Sequence, residues 1–387
     1  MRFALLLAIF QVVACAADSL WQLEWNALPE FQKGATIGSR DEVQVTWLDQ
    51  TTIAIAAIYR STPDLKAGPA FRDAVRSNVV VAAIDATRGQ GRSSKTWSDL
   101  RGASALWNAL TLLPSGDGGA FVAAVNQIAR LSPRFQQAAL RTLNPPERNT
   151  YPTYDHWSVH YSPSTRRVLL ISSLNKSSKL HWPRALDLQD QKVTTPPPEF
   201  SNPTSLIGDS IVFIPRTSLD LSKVMESVNT GKRMSSPRAR VLQQDGKTRD
   251  LCELCAGSVS EAFGEGLVMM GVQPDGTYLI VDVTGKIRHQ GRYADATLLR
   301  ASGSSQANRV AVFWHENITL GAGSSATQIA LVDADQQREI SRTEIRSDAT
   351  RPAKGVVQFQ SPRIALSPDG TRLAILTGAT LRLVTVP

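Results

Sequence analysis

The stretch SPRIALSPDGTRLAILTGATLRLVTVP, Ser361–Pro387, decides how the chain reads. Ile364 and Leu366 alternate with Arg363, Ala365 and Ser367, the period-two pattern of a strand. Pro368-Asp369-Gly370 then makes a turn, because proline presets φ at one corner and glycine accepts the positive φ that a Cβ resists. Leu373-Ala374-Ile375-Leu376 is apolar on both faces, which suits a strand packed between neighbours rather than one with a wet side. Thr377-Gly378-Ala379 turns the chain back, and Leu381 to Val386 supplies a third strand. The result is an antiparallel meander whose last strand needs a partner from elsewhere.

The same design recurs upstream. Val43–Ile58 (VQVTWLDQTTIAIAAI), Leu106–Val125, Trp157–Ser173 (WSVHYSPSTRRVLLISS), Ser205–Pro215, Ser258–Val272 and Ala296–Trp314 each combine an alternating strand, a polar turn and a buried apolar strand. A second signature follows most of them: VVAAIDATRGQ (Val80–Gln90), ALDLQDQKV (Ala185–Val193), VLQQDGKT (Val241–Thr248), LIVDVTGKI (Leu279–Ile287) and ALVDADQQREI (Ala330–Ile340). Each is a strand ending in or near an aspartate, a short polar turn, and the start of another strand, which is hairpin chemistry. Together they predict units of four strands, spaced about 50 residues apart and about seven in number. Units of that kind cannot bury their faces alone and must stack.

ALSPDGTRLAIL (Ala365–Leu376), GVQPDGTYLIVDVTGK (Gly271–Lys286) and ALVDADQQREI resemble the blades of exported bacterial WD-repeat-like propellers of the TolB and YVTN kind. The resemblance covers most of the chain after its first residues. It implies an all-β fold, a single β-propeller of about seven four-stranded blades. It says little about function, since these motifs are turn and packing chemistry, and no Gly-His and Trp-Asp pair marks each blade. Closure of such a ring recruits a strand from the other terminus, and LWQLEW (Leu20–Trp25), with Trp21, Leu23 and Trp25 alternating against Gln22 and Glu24, is the expected partner of the last strand.

The first residues read as an export signal. Met1-Arg2 followed by FALLLAIFQVVACA is a charged start, an apolar run and a group of small residues, too short to span a bilayer. Residues 1–17 are expected to be the signal peptide and 18–387 the propeller, with cleavage either before Cys15 or beyond it. Val12–Cys15 (VVAC) also resembles a lipobox, so Cys15 is the lipidation candidate. The expected location is periplasmic, outer-membrane-anchored or secreted, with membrane contact only through that lipid. The net charge of +8 suggests an anionic partner only if the basic residues cluster, and they are spread along the chain. Nucleic acid is therefore not an expected partner.

Candidate chemistry is sparse. Cys252 and Cys255 in LCELCAG are too few ligands for structural zinc, lack the histidine of a haem attachment site, and in an exported protein are expected to form a structural disulfide. His156 and His160, four apart on a strand, stand roughly 13 Å from each other, too far to share one ion. His181, His289 and His315 belong to no motif. No nucleophile elbow, phosphate loop or metalloprotease motif occurs, so no catalytic residue, metal or cofactor is assigned. Trp21, Trp25, Trp47, Trp107, Trp157, Trp182 and Trp314 are expected between blades.

Three departures from the repeat are expected. Thr194–Thr204 (TTPPPEFSNPT) is a stiff connector; Thr217–Arg238 is an insertion carrying a short amphipathic helix; Gly68–Asn78 carries another. Ser132–Asn144 has a helix-like Ser-Pro start, but its place in the repeat predicts a strand. The expected function is a monomeric binding or scaffolding module that takes a protein or an envelope polymer at its axial face. The competing expectation is a propeller hydrolase or lactonase with a metal in the axial channel.

Overall fold

The computed structural model describes residues 19–36, 39–61, 76–101, 110–124, 127–142, 156–162, 167–173, 184–187, 193–194, 203–207, 209–214, 238–243, 245–255, 258–263, 266–272, 276–293, 296–316, 324–348 and 362–387. Strand β1 (Ser19–Glu24) leads through a 3-10 turn at Trp25–Ala27 into helix α1 (Pro29–Ala35). Strands β2 (Ser39–Asp49), β3 (Thr52–Arg60), β4 (Arg76–Asp85) and β5 (Gln90–Arg101) form one sheet, and β6 (Thr111–Pro114), β7 (Ala120–Ala124), β8 (Gln127–Leu131) and β9 (Gln137–Thr142) the next. Then come β10 (His156–Ser162), β11 (Arg167–Ser173), β12 (Arg184–Asp187) and β13 (Val193–Thr194), followed by β14 (Pro203–Ile207), β15 (Ser210–Phe213), β16 (Arg240–Leu242) and β17 (Thr248–Asp250). The fifth and sixth sheets are β18 (Ser258–Phe263), β19 (Leu267–Val272), β20 (Thr277–Asp282), β21 (Ile287–Arg292), and β22 (Ala296–Gly303), β23 (Arg309–Glu316), β24 (Ser324–Asp333), β25 (Arg338–Asp348). The last contains β26 (Arg363–Leu366), β27 (Arg372–Thr377) and β28 (Thr380–Thr385), with β1 as its fourth strand.

The fold is an all-β propeller of four-stranded antiparallel sheets. The repeat openings in the sequence fall on the first two strands of the sheets, and the aspartate signatures on the last two. The expected count of about seven blades needs correction. Among the described residues strand pairing gives seven four-stranded sheets, but the blades number five. Two sheets carry stunted outer strands, β12 and β13 with four and two residues and β16 and β17 with three each, which leaves five with full-length outer strands.

Packing explains why the second and third strands are apolar on both faces. Ile53, Ile55, Ala57, Val80, Ala82 and Ile84 join one core with Ala374, Leu376, Leu381 and Leu383 of the last sheet. Their alternates Ala54, Ala56, Ile58, Val79, Val81 and Ala83 join another with Val122 and Leu131 of the following sheet. Neither face of the sheet sees water, so neither can be polar; each large side chain so buried contributes about 1.5–3 kcal/mol. Similar cores lie between the sheet of β14 and that of β18, between those of β18 and β22, and between those of β22 and β26.

Helix α1 begins at Pro29, whose missing N–H costs nothing in a first turn. Its Phe31 meets the fully buried Trp25 edge-to-face at 4.9 Å. Gly34 lies where a Cβ would come within 2.7 Å of the Tyr59 ring, so a larger residue would lift the helix off β3.

The two ends of the propeller differ. First-to-second and third-to-fourth strand connections are all two to five residues long. Every longer connection lies at the other end, between second and third strands or between sheets, the longest running from 214 to 239. Insertions gather at the end where loops carry function in scaffolded folds.

Candidate functional site

The tight-turn end is built from aspartates used as backbone caps. The Asp85 carboxylate accepts the Thr87 amide and hydroxyl at 2.8 and 2.5 Å and the Arg88 amide at 3.2 Å. Asp282 accepts the Thr284 amide at 2.9 Å, the Thr284 hydroxyl at 2.5 Å and the Lys286 amide at 3.0 Å. Asp333 accepts the Asp335 and Gln336 amides at 3.0 and 2.8 Å. Two turns between first and second strands use a serine with an aspartate two residues on: Ser115 donates to Asp117, and Ser367 donates to Asp369 at 2.5 Å. Arginines on the strands then pair with the carboxylates, Arg130 with Asp117 at 2.6 Å and Arg288 with Asp282 at 2.8 Å.

These contacts hold the carboxyls acidic. The Thr87 hydroxyl and amide, aided by Arg92, bring Asp85 from 3.8 down to about 2. Burial pushes Asp117, Asp282 and Asp369 upward, but hydrogen bonds from Ser115, Thr284 and Ser367, with their backbone and arginine partners, outweigh it and leave each below the usual value. A depressed folded value gives stability that is complete above the unfolded value near 3.8 and is lost as pH falls toward the folded value near 2. The melting temperature is therefore expected to drop between pH 4 and pH 2, about where these groups take up protons. In Asp85→Asn the drop is expected to be shallower and the neutral-pH melting temperature lower; an unchanged acid slope would contradict this assignment.

At the long-connection end, one carboxylate links three sheets. Glu42, early in β2, accepts the Leu110 amide at 2.7 Å and Gln44 Nε2 at 2.7 Å, and its Oε1 stands 3.8 Å from Arg363 at the start of β26. Leu110 precedes β6, so β2, β6 and β26 are tied where their chains begin. These are first strands, and β2 packs beside both β6 and β26. Ser61 and Arg76 close the base of the connection between β3 and β4: Ser61 N donates to Arg76 O and Arg76 N to Ser61 Oγ, both at 2.9 Å.

The residues singled out from the sequence fall as follows. Cys252 and Cys255 are joined by a disulfide, and the loop is fixed to the chain before β16 by Ala239 N to Cys255 O at 2.9 Å and Leu251 N to Ala239 O at 2.8 Å. Cys15 and the whole of 1–17 lie outside the described residues, as do His181, Trp107 and Trp182. His156 and His160 are on β10 and His315 on β23, while His289 on β21 sits 3.3 Å from Gln337 O of the adjacent sheet. Trp21 donates to Ala86 O at 2.7 Å and Trp47 to Ala365 O at 3.0 Å, each from one sheet to the next, and Trp314 is buried between sheets.

Of the connector Thr194–Thr204, Thr194 ends β13 and Pro203 and Thr204 begin β14, while 195–202 lie outside the described residues, as does all of the insertion Thr217–Arg238 except Arg238. Of Gly68–Asn78, expected to hold a helix, Arg76–Asn78 instead begin β4, and the remainder lies outside the described residues. Of Ser132–Asn144, residues Gln137–Thr142 form β9 after a turn, the strand its place in the repeat predicted. Glu42 and Arg363 carry no motif, because what joins them is the meeting of strands more than three hundred residues apart in sequence. Among the described residues no group of three His, Cys, Asp or Glu side chains is placed to hold a metal ion, and no helix is long and apolar enough to cross a membrane.

No family model matches the chain, and no curated protein matches it by sequence. Among solved structures, it is similar to an uncharacterized protein of Listeria monocytogenes EGD-e at 8% identity, over 86% of this chain and 88% of that one, with a TM-score of 0.49. It is similar to the Pan2 WD40 domain of Neurospora crassa at 8% identity, over 96% and 95% of the chains, with a TM-score of 0.48. A TolB protein of Agrobacterium tumefaciens follows at 11% identity, over 76% and 94%, with a TM-score of 0.39. The propeller rests on the chain's own strand pairing.

Proposed function

We propose that the protein is an exported binding module whose sheets form one ring closed by β1, and that it holds a protein or envelope polymer at the axial mouth on the long-connection end. The observation that carries this reading is the asymmetry of the connections: none at one end exceeds five residues, while the other spans up to 214–239. A scaffold that spends all its chain length at one end presents its variable surface there. Two features support the single ring. First strands contact in the order β26, β2, β6, β10, β14, β18, β22 and β26 again, and β1 pairs with β28. The export signal at 1–17 and the lipidation candidate Cys15 complete the proposal; the protein works as a monomer outside the cytoplasm.

Produced from the full chain in a bacterial host, the protein is expected in the envelope fraction with residues before Cys15 or Asp18 removed, as read by intact mass. Pull-down from that fraction is expected to recover a partner that is lost with Glu42→Gln and Arg363→Gln together and retained with Arg134→Ala and Lys247→Ala, exposed residues in tight turns. Retention of every partner by the Glu42 and Arg363 variant, at an unchanged melting temperature, would overturn the assignment of the mouth.

A further inference from the structure

Two of the aspartate turns, those of Asp85 and Asp282, differ in how their arginines are used. In each the outer strand carries a β-bulge that sets one arginine out of register, Arg92 in β5 and Arg288 in β21. A bulge re-aims its side chain, and here both arginines turn back to the aspartate that ends the third strand. Arg92 Nε donates to Asp85 at 3.1 Å and Arg288 Nε to Asp282 at 2.8 Å.

The second strand decides what happens to the rest of each guanidinium. Thr52 stands opposite Asp85, and Leu267 stands opposite Asp282. Arg92 Nη1 donates to the Thr52 hydroxyl at 2.9 Å, and its Nη2 lies 3.0 Å from Asp85, so Arg92 is consumed within the fold. Leucine has no hydroxyl to offer. Among the described residues the Nη groups of Arg288 have no partner, and Arg288 lines a cleft of about 220 Å³ between its own sheet and that of β22.

The far wall of that cleft has the opposite charge. Asp335 is exposed and held by Asn308 Nδ2, 3.2 and 3.1 Å from its two oxygens. Asn308 is itself fixed at φ 44° and accepts the Ala334 amide at 2.9 Å through its backbone oxygen. Gly266 at φ 99° also lines the cleft and contributes no side chain. Asp282, 7% exposed, also lines the cleft, but its oxygens are taken by Thr284, Lys286 and Arg288.

We propose that this cleft binds a small zwitterion, an α-amino acid or a dipeptide, with its carboxylate on Arg288 Nη and its ammonium on Asp335. A simple anion would be repelled by Asp335 and a simple cation by Arg288, so a ligand carrying both charges is the one the walls complement. The cleft is smaller than the roughly 300–1,000 Å³ of pockets that take drug-sized ligands, which limits the occupant to one or two residues. The site is at the tight-turn end and is independent of the axial mouth.

Calorimetric titration of the full-length protein with glycylglycine tests this, alongside N-acetylglycylglycine, which lacks the ammonium, and glycylglycine amide, which lacks the carboxylate. Saturable binding of glycylglycine is expected, weaker by about tenfold for either blocked peptide and for Asp335→Asn, since each removes one charge-assisted contact. Leu267→Thr, which offers Arg288 the hydroxyl that Arg92 already has, is expected to weaken binding in the same direction. Asp335 is exposed, so Asp335→Asn keeps the fold and carries the test even if changes at Arg288 do not. Absence of saturable binding by the parent protein, or equal binding by Asp335→Asn and by both blocked peptides, would overturn the proposal.

Discussion

Deletion of Ser19–Asn26 is expected to abolish cooperative folding or to leave an aggregating protein. The segment supplies the fourth strand of the last sheet, with Trp21 opposite Leu383, Gln22 opposite Arg382 and Leu23 opposite Leu381. It also binds the neighbouring sheet, because Trp21 donates to Ala86 O at 2.7 Å and covers the turn at Gly89. Trp25 is fully buried, and truncating a residue of that kind costs about 3–5 kcal/mol. Set against the roughly 5–15 kcal/mol by which a domain is stable, that single loss is already large. The deletion would further expose the edge of β28, a row of unpaired amides and carbonyls beside the buried Leu381 and Leu383. Thermal unfolding and size-exclusion chromatography read the outcome; a monomer with the parent melting temperature would contradict it.

The second large effect is expected at Gly285. In the turn between β20 and β21 its amide donates to Asp282 O at 3.0 Å, and its φ of 94° lies where glycine is favoured. A Cβ there would stand 2.0 Å from the Leu251 carbonyl oxygen, and since both are backbone, neither can swing away. Gly246 has the same role between β16 and β17, with its amide on Gln243 O at 3.0 Å and φ 79°, but nothing lies within 4 Å of its Cβ position. Gly246→Ala should then cost only the conformational term, about 1–2 kcal/mol. Gly285→Ala adds a clash that must move two chain segments, and about 3 kcal/mol or more is expected. Equal and small shifts of the two denaturation midpoints would show that the turn does not press on Leu251.

Much of this architecture is legible in the sequence for a simple reason. The Asp-Gly and Ser-x-Asp turns are local, and the strands they join are apolar on both faces because each face packs on a different sheet. The alternation in Val43–Ile58 and the run Leu373–Leu376 thus report directly on burial. The disulfide follows from two cysteines in one short loop. Other features depend on contacts that no local pattern encodes. LWQLEW alternates through Trp25, yet β1 stops at Glu24 and Trp25 opens a 3-10 turn, because its ring is taken into the core against Phe31. Helix α1 is only seven residues long, too short for periodicity to register, although Pro29 and Glu30 mark its start. Outer strands as short as β13 and β17 lie within polar hairpins of ordinary appearance, so the repeat period cannot tell a full blade from a stunted one. The cleft of Arg288 depends on a one-residue bulge and on a leucine standing where another sheet has a threonine, and both emerge only once the registers are known.

The pairing of the first described strand with the last is the feature on which the proposed ring closure depends, and a cross-link measures it most directly. Gln22 and Arg382 are opposite each other across β1 and β28, and both are exposed. Directly opposed residues of an antiparallel pair lie about 4.5–5.5 Å apart at Cα, within the range that a disulfide spans. In the chain from Ser19 onward, where Cys252 and Cys255 are already joined, Gln22→Cys with Arg382→Cys is expected to form an intramolecular disulfide in a monomer under mild oxidation, seen by intact mass and by peptide mapping. Free thiols at both positions in the folded protein, or disulfides only between molecules, would contradict the account.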